Sequence, residues 1–282
     1  MDNAGDSNAI VECGFGFLKI PQTRKKPRDQ RWTIMSDRCI PISGQLSLLE
    51  LVGGVVDRVK LVDHVGLIYR LPAEVISRKI KVYRDYGIQA FPGGIPFEIA
   101  FLQGRVDEYF QQVKKLGFHG VEVSSDCIPP IPTKERFRLI ALAHSMGLEV
   151  FTEVGYKVVG DKFGKDALSA EAAIETIRAD MKAGACKVTV ENNELLSYMQ
   201  NKDATTLKTI ADAIGLEHLL FEIGGGGVAH RDIAKWLFQE FGPEINVENV
   251  EVDQVVHTEA MRHGLSRAVD FCFFAEGMRV TA

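Results

Sequence analysis

Ser145–Val154 reads SMGLEVFTEV: the end of a polar-faced helical segment, a glycine, one connecting residue, then a short apolar run. A helix that stops at a left-handed glycine and turns at once into a strand is the αβ half of a βαβ unit. The same phrase recurs at Asp85–Phe91 (DYGIQAF), Lys115–Val123 (KLGFHGVEV), Ala183–Glu191 (AGACKVTVE), Ala213–Glu222 (AIGLEHLLFE) and Glu240–Glu248 (EFGPEINVE). Apolar runs of strand length stand at Thr33–Asp37, Val56–Val62, Gln89–Phe91, Gly120–Ser124, Glu149–Val154, Lys187–Glu191, His218–Ile223 and Ile245–Val250. They are nearly continuously apolar, as strands of a parallel sheet covered on both faces should be.

Between these runs the period changes from strand to helix. Helical segments are predicted at Pro72–Tyr86, Phe97–Leu116, Thr133–Met146, Ala170–Ala183, Ala204–Ile214, His230–Phe241 and Val252–His263, with Ser169 placed to cap the fourth. Six glycine-punctuated units and the two opening strands make eight β/α units. At ~30 residues each they need roughly 240 residues, the size of one (β/α)8 barrel. A doubly wound open sheet is the competing fold, but the segment after Asp37 (RCIPISG) lacks the GxGxxG turn usual there. The expectation is a single α/β domain, a (β/α)8 TIM barrel over residues 25–282, preceded by a lead-in over residues 1–24.

Composition narrows the function. With 282 residues, 46% of them hydrophobic, the chain has enough apolar content to fold, and its formal charge of −5 carries no long basic run. That is not the footprint of a nucleic-acid binder. No apolar stretch reaches the ~18 residues of a membrane span, and the acidic N-terminus lacks the pattern of a secretory signal. The five cysteines, Cys13, Cys39, Cys127, Cys186 and Cys272, are widely spaced with no CxxC pair, so free thiols are expected. A cytoplasmic protein without nucleic-acid or membrane partners is the expectation.

In a barrel of this class the reacting groups sit where strands run into the βα loops. The ends read, in order, Asp37; Lys60 and Asp63; Pro92-Gly93-Gly94; Glu122, Ser124 and Asp126; Glu153 and Lys157; Glu191; Glu222; and Asn246 with Glu248. Glu122, Glu153, Glu191 and Glu222 end four consecutive strands. Burying that many carboxylates is costly unless they face a cation or a metal. Lys60 and Lys157 are the natural counter-charges. The run Gly224–Gly227 between a strand and a helix offers converging backbone N–H groups to an anion such as phosphate. No HExxH, HxH or GxSxG spacing occurs, which argues against a histidine-based zinc centre and a serine hydrolase.

These residues together resemble the phosphosulfolactate synthase family. The resemblance runs through KKPR (Lys25–Arg28), the strand ending in Asp37, VDRVKL with Lys60, FPGGIPFEIAFLQGRVDEYF (Phe91–Phe110) and KKLGFHGVEVSSD (Lys114–Asp126). It continues through TEVGYK (Thr152–Lys157), RADMKAGACKVTVE (Arg178–Glu191), LLFE (Leu219–Glu222) and FGPEINVENV (Phe241–Val250), covering residues 25 to 267. It implies a (β/α)8 barrel that adds sulfite to phosphoenolpyruvate with Mg2+. Carried over by position, it implies catalytic roles for Lys60, Glu122, Glu153 and Lys157 and metal binding by Glu191 and Glu222. Arg28, Asp37, Gly93, Gly94 and Ser124, with Gly225, Gly226 and Gly227, are expected to bind a small phosphorylated anionic substrate. A homo-oligomer is expected.

The departures from the family pattern are local. An arginine-bearing EGRESG-like segment is replaced by Glu191-Asn192-Asn193-Glu194-Leu195-Leu196, and FEAP by FEIGGGG. NLGNI becomes Asn246-Val247-Glu248-Asn249-Val250, and a glycine-rich segment after Lys60 becomes Val62-Asp63-His64-Val65-Gly66. Two alternatives therefore stand beside the family reaction: a barrel enzyme of a specialised biosynthetic pathway with another substrate, and a non-catalytic protein of the plant heat-stress-associated type that the family also includes.

Overall fold

The computed structural model of the chain describes residues 14–18, 20–21, 23–61, 68–125, 127–155, 168–224 and 229–269. Eight strands lie in one parallel sheet: β1 (Thr33–Asp37), β2 (Arg58–Leu61), β3 (Gln89–Pro92), β4 (Gly120–Val123), β5 (Glu149–Val154), β6 (Lys187–Val190), β7 (Leu219–Glu222) and β8 (Asn246–Val250). Their hydrogen-bonded order is β3-β2-β1-β8-β7-β6-β5-β4, so the first strand pairs with the last. β3 and β4 lie side by side at the remaining seam, where His119 N–H donates to the Ala90 carbonyl at 2.9 Å. That nearly closed cycle is a TIM barrel, not an open doubly wound sheet.

The helices follow the predicted beat. They are α1 (Ile42–Val52), α2 (Ala73–Asp85), α3 (Gly94–Leu102), α4 (Val106–Leu116), α5 (Thr133–Ser145), α6 (Ala170–Ala183), α7 (Asn192–Asn201), α8 (Thr205–Ile214), α9 (Ala229–Phe241) and α10 (Val255–Arg262). The six glycines of the αβ turns all have positive φ, from +67° at Gly87 to +118° at Gly184, where a side chain would be strained. Ser169 caps α6 by accepting from Ala172 N–H at 3.2 Å.

Three differences have local causes. The segment predicted as one helix over Phe97–Leu116 is two, because the chain turns at Gly104 (φ +66°) and Arg105 N–H bonds back to the Ala100 carbonyl. The predicted Val252–His263 helix opens as a 3-10 turn at Val252–Gln254 before α10 begins. Helices α1 and α7 were not among the predicted segments. α1 keeps Leu51 exposed beside buried Leu49 and Val52, which blurs its period, and α7 starts directly after Glu191 with no intervening turn residue.

Two apolar layers hold the barrel. The larger core lies between the strands' outer faces and the helices, and includes Met35, Val59, Val121, Val150, Val188, Phe221 and Val247. Inside the barrel a smaller cluster of Trp32, Ile34, Phe91, Phe151 and Leu220 forms a floor, with the Phe91 and Phe151 rings 4.4 Å apart. This floor fixes strand parity. Residues 34 and 36 of β1, 58 and 60 of β2, 151 and 153 of β5, and 220 and 222 of β7 point inward; their neighbours point to the helices. Among the described residues no helix is long and apolar enough to cross a membrane.

Below the floor, at the N-terminal ends of the strands, charges are matched. Arg28 grips Asp57 with two bonds of 2.7 Å, and Asp57 also accepts from Thr33 N–H at 2.9 Å. Arg58 pairs with Glu149 through two bonds of 3.1 and 3.0 Å while its guanidinium lies 4.2 Å from the Trp32 ring centre. Lys26 donates to the carbonyls of Gly53, Val56 and Tyr86, and burial pulls its pKa down to about 8.

Candidate active site

Above the floor, at the C-terminal strand ends, the inward positions carry Lys60 (β2), Glu122 (β4), Glu153 (β5), Thr189 (β6), Glu222 (β7) and Glu248 (β8), with Glu191 just past β6. All but Glu153, which is half-buried, are buried. Lys60 Nζ reaches across the barrel to Glu122 Oε2 at 2.6 Å and Glu248 Oε1 at 3.3 Å. Thr189 Oγ1 donates to Glu248 Oε1 at 2.8 Å, and Asn249 Nδ2 donates to Glu222 Oε1 at 2.5 Å. Ser36 Oγ in turn holds Asn249 Oδ1 at 3.3 Å.

The wall beside Glu122 explains the PGG segment. Gly93 precedes α3 and Gly94 is its first residue; a Cβ on Gly94 would lie 2.1 Å from Ser124 Oγ and 2.5 Å from Glu122 Oε1. Glycine therefore lets the start of α3 press against the carboxylate, where the helix's N-terminal partial charge favours the anion. Glu98, buried on α3, accepts from Ser124 Oγ at 2.9 Å and from Cys127 N–H at 3.0 Å, tying the β4 exit to the helix. A polar cavity of about 260 Å3 opens beside Glu153, lined also by Ser125, Thr133, Arg136 and Gly155.

The electrostatics are lopsided. Burial opposes the charge on Lys60, yet Glu122, Glu248, Glu153 and Glu222 together hold its pKa well above the ordinary lysine value. For Glu248, burial outweighs Lys60 and, with Glu122 and Glu222 nearby, pushes the carboxyl up to about 7. Among the described residues at this end, five carboxylates surround one lysine. Carboxylate oxygens are the donors a hard divalent cation prefers. Here they form two groups, Glu122 with Glu153 and Glu248, and Glu153 with Glu191 and Glu222, each with oxygens within 4.8 Å of one another. Glu248 Oε2 is buried without a hydrogen-bond donor. The donor set thus fits a cation such as Mg2+.

Not every residue expected at the site is there. Lys60, Glu122, Ser124, Glu153, Glu191, Glu222, Gly93 and Gly94 converge at the barrel mouth. Arg28 does not; it sits at the opposite end, committed to Asp57. Asp37 ends β1 but points outward, where it accepts from Tyr83 OH at 2.8 Å and Ile40 N–H at 2.7 Å and pairs with Lys79 Nζ at 2.8 Å. Those partners anchor α2 to β1. Lys157, Gly225, Gly226 and Gly227, like Asp63, His64 and Asp126, lie outside the described residues. The residue underweighted in the sequence is Glu248. Its signal was the i, i+2 alternation of Asn246 and Glu248 in NVENV, which puts both on one face.

A sequence model of the family described as (2R)-phospho-3-sulfolactate synthase matches residues 21–267. A phosphosulfolactate synthase of Methanocaldococcus jannaschii is 30% identical over 239 residues, covering 83% of this chain and 91% of that protein. Another, of Methanothermobacter thermautotrophicus, is 28% identical over 257 residues, covering 89% and 95%. Among solved structures, a monomeric dihydrodipicolinate synthase variant superposes with a TM-score of 0.56 at 15% identity, covering 89% of this chain and 78% of that one. The dihydrodipicolinate synthase of Agrobacterium tumefaciens gives 0.53 at 10% identity, covering 88% and 78%. These two likenesses speak to the barrel fold.

Proposed function

The chain belongs to the (2R)-phospho-3-sulfolactate synthase family, and from that membership we propose that it is a lyase-type enzyme adding sulfite to phosphoenolpyruvate with Mg2+. The observation that carries the reading is the ring of inward carboxylates at the C-terminal strand ends, around one buried lysine. In this addition the sulfite sulfur forms a bond to C3 of phosphoenolpyruvate. The double-bond electrons move onto C2 and the carboxylate, C2 takes up a proton, and the phosphate ester stays intact.

In this reading Glu191 and Glu222 would hold Mg2+. Bound there, the cation would neutralise the substrate carboxylate and the charge that develops on it. Glu122 and Glu153 serve proton transfer to C2, and Lys60, 2.6 Å from Glu122 Oε2, keeps the carboxylates from repelling the incoming anion. Lys157 stays with the catalytic groups, and the backbone N–H groups of Gly225, Gly226 and Gly227 take the phosphate. Gly93, Gly94 and Ser124 shape the wall beside the substrate.

The test is direct: incubate the protein with phosphoenolpyruvate, sulfite and Mg2+ and follow phosphosulfolactate by mass spectrometry. Product that disappears when Mg2+ is chelated supports the reading, and no product overturns it. A second reading, a different nucleophile on the same enolpyruvyl acceptor, is favoured by Glu248, a buried acid beside Lys60. Phosphoenolpyruvate consumed with a thiol or amine but not with sulfite is its signature. For the phosphate anchor, Gly225→Val with Gly226→Val should weaken binding of phosphorylated ligands; unchanged affinity sinks that part.

A further inference from the structure

The carboxylates at the barrel mouth form two cation positions that share Glu153, and the two are not equivalent. The oxygens of Glu122, Glu153 and Glu248 make one position, those of Glu153, Glu191 and Glu222 the other. Lys60 Nζ contacts only the first: 2.6 Å from Glu122 Oε2 and 3.3 Å from Glu248 Oε1. An ammonium is therefore already lodged where three carboxylates could hold a metal.

The rest of the first position is built to keep it there. Lys60 lies in register with Phe91 on β3, and its Nζ is 5.8 Å from the Phe91 ring centre. Gly93 packs alongside its stem; a Cβ there would lie 3.7 Å from Lys60 Cδ and 3.8 Å from Cγ. Thr189 Oγ1 fixes Glu248 by the same oxygen that meets the ammonium. The other oxygen, Glu248 Oε2, sits on a fully buried side chain with no hydrogen-bond donor. An ammonium offers one charge and three directed protons. It leaves such an oxygen unsatisfied, whereas a divalent ion contacting all three carboxylates would engage the group as a whole.

We infer that Glu122, Glu153 and Glu248 form a latent divalent-cation site whose cation is the tethered ammonium of Lys60. The inference goes beyond the reading of this protein as a phosphosulfolactate synthase, which places its metal on the Glu191–Glu222 side. Lys60 is then a charge-compensating residue, and removing its ammonium exposes a second metal position. The ligand class is a hard divalent cation, Mg2+ or Mn2+.

The experiment counts Mn2+ ions bound to the full chain by calorimetry and native mass spectrometry, with no substrate present. Lys60→Met is expected to bind one more Mn2+ than the unsubstituted protein. The double variant Lys60→Met/Glu248→Gln is expected to lose that ion or to bind it at least about tenfold more weakly. Equal counts for the unsubstituted protein and Lys60→Met overturn the inference, as does an extra ion that survives Glu248→Gln. If Lys60→Met folds poorly, Lys60→Ala gives a second readout: its melting temperature should rise with ethylammonium or with Mn2+, the two competing. No rise with either cation overturns the inference. The function reading fails separately, on the absence of phosphosulfolactate, and that failure leaves the ion count unaffected.

Discussion

Among the described residues, the two ends of this barrel treat their charges in opposite ways. Below the aromatic floor, Arg28 closes on Asp57 and Arg58 on Glu149 through paired bonds, and Arg262 ends on the carbonyls of Ile245 and Pro243. Lys187 reaches the carbonyls of Asp29 and Glu217 and lies 4.2 Å from the Trp32 ring centre. Above the floor, five carboxylates crowd one described ammonium, and Glu248 keeps an oxygen with no donor. A buried charge with a full set of partners locks a fold. A surplus of one sign is a cost to the folded chain that an arriving cation relieves. The contrast marks the lower end as architecture and the upper end as the place of chemistry.

The comparison breaks most visibly at Asp57. Asp57→Ala strands the Arg28 guanidinium and should cost about 3–5 kcal/mol in urea unfolding, with turnover per folded molecule retained. A cost below about 1 kcal/mol would remove the lower end from its structural role. Glu222→Gln tests the upper end. It should lower phosphosulfolactate formation about a hundredfold while moving the urea midpoint far less than Asp57→Ala does, because the amide keeps an oxygen to accept from Asn249 Nδ2. A lost midpoint with full activity reverses the two roles.

Acid and base sharpen the same contrast. At the lower end, burial opposes the Glu149 charge but bonds from His119 and Arg58 prevail and hold its pKa at about 2, below the ordinary glutamate value of 4.5. Its stabilising contribution is present above about pH 4.5 and is lost as the pH falls toward 2. At the upper end, Glu248 is raised from 4.5 to about 7, so the folded state holds a proton the unfolded chain has released. Its effect has the opposite sign: stability is lost as the pH rises from about 4.5 to 7. Glu149→Gln should therefore flatten the acid limb of the stability profile, on the order of 2 kcal/mol, and Glu248→Gln the neutral limb. Profiles that move the same way in both variants would falsify the contrast. The smallest expected effect is at Gly94. Gly94→Ala drives a methyl into Ser124 and Glu122 and should cost at least about 1 kcal/mol, with a larger fractional loss of activity than of stability.

How much of this was legible depends on which faces the sequence distinguishes. The turn glycines were, since a positive φ is a local demand of one residue. Glu122, Glu153 and Glu222 were legible as acids ending apolar runs. Asp37 looked the same but points at Lys79 and Tyr83, because a parallel strand buried on both faces is apolar at odd and even positions alike. With no polar side to mark parity, the sequence does not say whether the last residue of β1 faces the barrel or the helices. Arg28 misled for a related reason: a cation near the first strand reads the same whichever end of the barrel it serves. Glu98 gave no signal at all, since its partner Ser124 lies 26 residues on and is brought near only when α3 doubles back onto β4.

The sequence by itself determined the order of the strands, the number of β/α units and the family, because these follow from local backbone preference and short motifs. Only the tertiary structure decided the charge balance. Lys60 on β2 meets Glu122 on β4 and Glu248 on β8, strands that are not its neighbours in the sheet, because closing the barrel turns their inward faces onto one axis. The aromatic floor then cuts that axis in two, so that charges similar in kind become a clamp below it and a cation-seeking site above.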